Sequence, residues 1–338
     1  MGIEEEMQDE VEGDGTGLSR RGLIVKGGLL AAGLSAFGME GGAAAFAAGK
    51  TTKIAVVTHG DTGSFWSVFK NGVDQAGKDL KSRGISITQV YANNDVSKQV
   101  SGISTAIAAK VNFIATSVPD ASALKDPLTK ASKAGIEIIT VNSGQGAFDS
   151  LPTYDCHVGQ NEKIAGEGAG KQFNAAGAKE VVVIIHEASN SGLTDRAAGV
   201  KSTFKGTTKT LLIPNAKADI PGTVAKVKAY FTANKSTDAM LGLDPDVTVP
   251  AIASAPSGTK IGTFDVSADV IKNLESGKML FAIDQQQYLQ GYLPVVFAML
   301  FVNNLNTVGG GQPVLTGPGI INKANAAKVS ALAAKGTR

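Results

Sequence analysis

The chain is poor in the residues that usually announce chemistry: its 338 residues include one cysteine, three histidines and one tryptophan. A lone Cys156 closes no internal disulfide, and without a second thiol it builds no cysteine-rich zinc site. It lies in the alternating stretch YDCHVG with no activating pattern beside it, so it reads as a small buried apolar residue. His59, His157 and His186 show no metal-ligand spacing such as i, i+4. Neither metal nor cofactor is expected. Charged residues are 18% and aromatics 6%, a balance foreign to coiled coils and disordered chains. Lysines are scattered singly, and the absence of an arginine-rich run interleaved with aromatics excludes a nucleic-acid platform. Long hydrophobic runs are missing too. The mildly apolar segment 28–46 is diluted by glycine and alanine, and falls short of the ~20 strongly apolar residues that span a bilayer.

What is present is 43% hydrophobic residues and 41 glycines, enough for a sizeable core broken by many short connections. The length suggests two domains. Eight of the 30 acidic and three of the 32 basic residues fall in the first 47, leaving 22 acids against 29 bases in the rest. That first stretch has the form of an export address. An acidic start precedes paired Arg20-Arg21, a weakly hydrophobic segment follows, and Ala45-Phe46-Ala47 fits a small-x-small cleavage site. The pattern is of the twin-arginine type, with Leu23 and Ile24 where Phe-Leu is usual. Residues 1–47 are therefore expected to be a cleaved leader and the mature chain a periplasmic protein. No cysteine near the cleavage site offers a lipid anchor.

Beyond it, short β-branched runs alternate with segments of helical period. Strands are predicted at 54–58, 85–91, 113–117 and 136–141, and again at 181–185, 210–213, 239–243, 260–264 and 279–283. Helices are predicted at 65–80, 97–109, 121–134, 194–204, 220–233, 268–276, 288–305 and 323–334. Two series of continuous apolar strands separated by helices imply an α/β fold: two Rossmann-like doubly wound lobes joined by a multi-strand hinge. The expected division is 48–158 with 285–310 for the first lobe, and 159–284 with 311–338 for the second.

Enzyme motifs fail on context. GVDQAGKD (72–79) has P-loop spacing but ends in Asp79, where a hydroxyl must bind magnesium, and it falls inside a helix. GEGAG (166–170) lacks dinucleotide spacing; following the helix cap candidate Asn161, its small residues suit close helix packing. After the first strand only Gly60 and Gly63 appear where a dinucleotide enzyme carries three glycines. An exported oxidoreductase is thereby disfavoured.

In open α/β sheets ligands bind beyond the carboxyl ends of strands, so the residues there are the site candidates. Phe65 and Trp66 follow the first strand, Asn142 the fourth, and Arg196 the loop HEASNSGLTD. Asp244, Asp265 and Gln285 follow later strands. Aromatic plates combined with amides, carboxylates and a guanidinium suit a polyhydroxylated ligand, whose edge presents hydroxyls and whose faces present C–H groups. Each has a plainer role as well. The aspartates can be helix caps, the aromatics core, and Arg196 an ion-pair partner. Asp61 and Asp120 are secondary candidates in adjacent loops.

The stretches IAVV…FW…KNGVDQAGKDL (54–80), VPDASAL (118–124), LTDRAAG (193–199) and IGTFD…IKNLESGKMLFAIDQQ (261–286) resemble periplasmic sugar-binding proteins of the ribose-binding type across nearly the whole mature chain. The resemblance implies the periplasmic binding protein type I fold. It also implies sugar contacts from Phe65, Trp66, Arg196, Phe264, Asp265 and Gln285, and a monomer that delivers ligand to the permease of an ABC importer without catalysing a reaction. A module that presents ligand to a receptor would share the same site. Two departures touch the ligand: Asn142-Ser143 stands where the ribose binder has Asp-Arg, and Asp244-Pro245 replaces Asn-Asp.

Overall fold

A computed structural model describes residues 51–151 and 156–338. The leader expected at residues 1–47 lies outside the described residues.

The first lobe is built on a sheet whose strands run β1 (Thr52–Thr58), β2 (Ile85–Tyr91), β3 (Phe113–Thr116), β4 (Glu137–Val141) and β5 (His157–Gln160). Its helices are α1 (Ser64–Asp79), α2 (Val96–Ala108) and α3 (Ala121–Lys133). The second lobe repeats the plan with β6 (Glu180–Ile185), β7 (Thr207–Leu212), β8 (Ala239–Gly242), β9 (Lys260–Phe264) and β10 (Phe281–Asp284). It is covered by α4 (Glu162–Ala175), α5 (Ser191–Thr203), α6 (Ile220–Ala233), α7 (Pro245–Ala251) and α8 (Ala268–Glu275). The chain then returns through α9 (Gln287–Asn304) and β11 (Val314–Gly317), and ends with β12 (Gly319–Asn322) and α10 (Ala326–Ala334).

Strand order is β2-β1-β3-β4-β5-β11 in one sheet and β7-β6-β8-β9-β10-β12 in the other. All pairings are parallel except β12 on β10. Central strands such as β3, β8 and β10 are buried along their whole length, as a sheet covered on both faces requires, whereas the edge strand β2 is largely half-buried and β7 largely exposed. The chain passes between sheets three times: from β5 to α4, from β10 to α9, and from β11 to β12. Residues 311–338, expected wholly in the second lobe, divide here. Val314–Gly317 pairs with His157–Gln160 of the first sheet, and Gly319 onward joins the second. β5, β11 and β12 are four residues each, too short to show the apolar run that marks longer strands.

Both lobes pack one pair of helices unusually closely. Gly166 on α4 faces the backbone of Arg196 on α5, and Gly199 faces that of Lys163, so a methyl group at either would collide with a carbonyl oxygen. In the first lobe Gly72 on α1 and Gly291 on α9 play the same part. Gly72 of the P-loop-like stretch and Gly166 and Gly170 of the GEGAG stretch thus serve helix contact, and the α4–α5 crossing fixes where Arg196 enters the cleft.

Candidate functional site

The carboxyl ends of β1, β4, β6, β8, β9 and β10 face one another across a small polar cleft. Phe65, Trp66, Asn142, Arg196, Asp244, Asp265 and Gln285 all line it, so the strand-end rule located seven candidates in one place. Each is less than a tenth exposed.

Arg196 is the most constrained. Its Nε donates to Glu162 Oε2 at 2.6 Å and its Nη2 to Oε1 at 3.1 Å, a two-pronged ion pair; Nη1 donates to the Leu243 carbonyl at 3.2 Å. The guanidinium carbon lies 4.3 Å from the centroid of the Phe264 ring. Phe264, expected to touch ligand, is fully buried beneath the guanidinium and does not line the cleft: it fixes the plane of Arg196. Burial opposes the charge on Arg196, but Glu162, Asp265 and Asp244 outweigh it and raise its pKa.

Asp265 ends β9 with φ +67, a left-handed conformation tolerated by Asp and Asn because of their short polar side chains. Its carboxylate accepts from Gln285 Nε2 at 2.8 Å. Burial pushes its pKa well above the ordinary value, with Arg196 opposing. Asn142, at the end of β4, has φ +59. Ser143 Oγ sits 3.0 Å from Asn142 Oδ1 and 3.2 Å from Asn190 Oδ1, the cap of α5. Asp244 both caps α7, accepting from Asp246 N at 2.7 Å, and faces the cleft.

Trp66 is only 4% exposed. It meets His59, Phe65 and Phe69 edge-on with centroids 4.9, 5.0 and 5.2 Å apart. It therefore serves core and cleft wall at once. Asp61 sits at the edge of this set, lining an adjoining cavity and pairing with Lys217 Nζ at 2.5 Å. Asp120 stands apart. It caps α3, accepting from Ser122 N at 2.9 Å and Ala123 N at 3.1 Å, and borders a surface hollow outside the cleft. Its carboxylate is consumed by helix capping.

The structure adds residues that the sequence reading had not placed here: His59, Ser143, His186, Glu187, Asn190 and Lys217. His59 and His186–Glu187 directly follow β1 and β6, so the strand-end rule applied to those two strands points to them. Burial lowers the pKa of His59, whose Nδ1 lies 2.7 Å from Ser117 Oγ. Glu187 is held below the usual carboxylate range: burial works against this, but His186, His59 and Asn190 prevail. Lys217, in a turn after β7, has no local signature.

Direct contacts join the lobes around this cleft. Ser64 N donates to Asp246 Oδ2 at 2.9 Å and Ser191 N to the Pro119 carbonyl at 3.2 Å. Lys217 links Asp61 of the first lobe to Asp244 of the second, the latter at 3.0 Å. Among the described residues no group of three or more His, Cys, Asp and Glu is disposed to hold a metal ion, and no helix is long and apolar enough to cross a membrane.

Two doubly wound lobes with a polar cleft where their strand ends meet define a bilobal binding protein. Residues 54–304 match the family described as periplasmic binding protein domain, and the chain belongs to that family. Among solved structures it is similar to a carbohydrate transporter from Acidothermus cellulolyticus 11B in complex with myo-inositol, at 32% identity and TM-score 0.81, covering 86% of this chain and 100% of that one. It is 25% identical to a xylose/arabinose-binding protein of Sulfolobus acidocaldarius over 62% of this chain, and spans 56% of that relative's length. The ribose import binding protein of Bacillus subtilis is 23% identical over 68% of this chain and 74% of its own.

Proposed function

We propose that this protein captures a sugar or cyclic polyol between its lobes and hands it, in the closed form, to the membrane permease of an ABC importer. The observation that carries this is the ring of buried donors and acceptors around one small cavity: Asn142, Arg196, Asp244, Asp265 and Gln285, walled by Phe65 and Trp66. A ligand rich in hydroxyls satisfies such groups, and one lacking a matching hydroxyl leaves a buried partner stranded, so selection is strict. Myo-inositol in a relative at 32% identity supports a ring-shaped polyol. The loss of the Asp-Arg pair at Asn142-Ser143 argues against ribose as the preferred ligand.

Ligand that touches both lobes favours the closed state over an open one, with rotation taken up at the three crossings between the sheets. No step of bond making is assigned to the site. The chain acts as a monomer in the periplasm, exported by the twin-arginine route with cleavage after Ala47. Isothermal titration of the mature protein against myo-inositol, xylose, arabinose, ribose and glucose tests the reading. Saturable binding of one of them, strongest for a ring polyol, is expected; no heat and no rise in melting temperature across the panel would overturn it.

A further inference from the structure

Beside the first cavity lies a larger, partly open one, bordered by Asp61, Gly63, Asn93, Asn94, Asn215 and Asp246. Three residues border both: His186, Glu187 and Lys217. His186 is held from the second lobe, by Asp244 at 3.6 Å, and Glu187 by Asn190 Nδ2 at 2.8 Å with only the imidazole of His59 reaching it from the first lobe, at 3.8 Å. Lys217 is different. Its ammonium is tied to Asp61 from one lobe and to Asp244 from the other, with its side chain 15% exposed and the two carboxylates 10% and 6%. Burial opposes its charge, yet the two carboxylates hold its pKa well above the ordinary lysine value. The lobes approach this closely because residue 63 is glycine: a Cβ there would press on the Asp246 carboxylate and lie 3.3 Å from Lys217 Nζ.

We propose that Lys217 is a specificity-determining residue: clamped between Asp61 and Asp244, it partitions the cleft and restricts the ligand to a single ring. The inference rests on reading the cleft as a sugar or polyol site. A substituent pushing from the first cavity into the second has to break both ion pairs and strand two buried carboxylates, a cost no sugar hydroxyl fully offsets. The chamber behind the partition is suited to a second ring. Asn93, Asn94 and Asn215 border it, each with φ between +55 and +61, and their amides can donate to and accept from hydroxyls.

The test compares myo-inositol with a galactosyl-inositol by isothermal titration of the mature wild type, Lys217→Ala and Lys217→Arg. Wild type and Lys217→Arg should favour the single ring. In Lys217→Ala the ratio of two-ring to one-ring affinity should rise by roughly tenfold or more. Should Lys217→Ala not fold, the Asp61→Asn, Lys217→Ala pair replaces it, since no Asp61 carboxylate is then left unpaired. An unchanged ratio, or a wild type that binds both equally, overturns the partition. If wild type binds no ring polyol or monosaccharide at all, the sugar reading fails separately. The crystal structure of ligand-free Lys217→Ala then decides the partition: one continuous cavity upholds it, and two separate cavities overturn it.

Discussion

The two lobes bring opposite chemistry to one cleft. The first contributes rings and neutral groups: Phe65, Trp66, the imidazole of His59, and Asn142 with Ser143. From the second come ionisable groups: Glu187, Arg196, Lys217, Asp244 and Asp265. The first lobe also holds two buried titratable groups, His157 and Cys156, in their uncharged forms. Burial lowers His157 to about 3 and raises the Cys156 thiol to about 11. In the second, Arg196 is charged because Glu162 is beside it, and Glu187 because two imidazoles and an amide face it. The contrast teaches where recognition energy resides: a C–H face needs only a flat neighbour, whereas orienting hydroxyls requires fixed charge.

The largest effect should come from breaking the charge scaffold of the second lobe. Arg196→Met leaves Glu162 buried and unpaired, and unfolding in urea should show a loss of about 3–5 kcal/mol. Adding Glu162→Gln should restore part of it. A single variant as stable as wild type would mean that the lobe does not depend on this ion pair. Next comes Asp265→Asn, which removes an acceptor that only ligand and Gln285 satisfy. Affinity for the best polyol should fall by roughly 2–3 kcal/mol in calorimetry. Stability should hold or rise at pH 7, because burial raises the Asp265 pKa and keeping it ionised disfavours the folded state.

Acid should instead act on the first lobe. Above pH 6.5 His157 is neutral folded and unfolded alike, so it adds no pH dependence. Below that, only the unfolded chain takes the proton until the folded value of about 3 is reached, and stability falls across that window. Between pH 7 and 5.5 the loss from this one residue is about 1 kcal/mol. Urea midpoints for His157→Gln should fall by that much less over the same interval; parallel curves would show that His157 is not held neutral. The smallest effect is on the aromatic wall. Trp66→Phe should weaken polyol binding by about 1 kcal/mol or less. A loss as large as that of Asp265→Asn would erase the division of labour between the lobes.

Much of the frame is legible along the chain. The bounds predicted for β2, β9 and α6 are those observed; those of α3 and α8 differ by one residue at the carboxyl end, and α1, α2 and α9 begin and end one residue earlier than predicted. These elements carry their own period: a continuous apolar run, or an amphipathic face behind a cap such as Asp95 or Asp120. β7 begins at Thr207, three residues before the prediction, because an edge strand needs no apolar residues where it faces solvent. α7 escaped because it is seven residues long with prolines at Pro245 and Pro250. In the site, residues that end strands were readable from the α/β rule. Phe264 was misplaced by one layer, since adjacent strand residues point to opposite faces and only Asp265 lies in the cleft wall.

The sequence by itself therefore determined that there are two lobes of repeated strand–helix order, that their strand ends carry a polar set, and that the small residues of the GEGAG stretch serve helix packing. Such features depend on local periodicity and spacing, which the chain states residue by residue. Only the tertiary structure decided which charges meet: Glu162 with Arg196, Lys217 between Asp61 and Asp244, and Asp120 left to cap a helix outside the cleft. A pairing between distant segments leaves no periodic trace in either one, because it is the packing of helices on sheets, and of one lobe against the other, that brings the partners within reach.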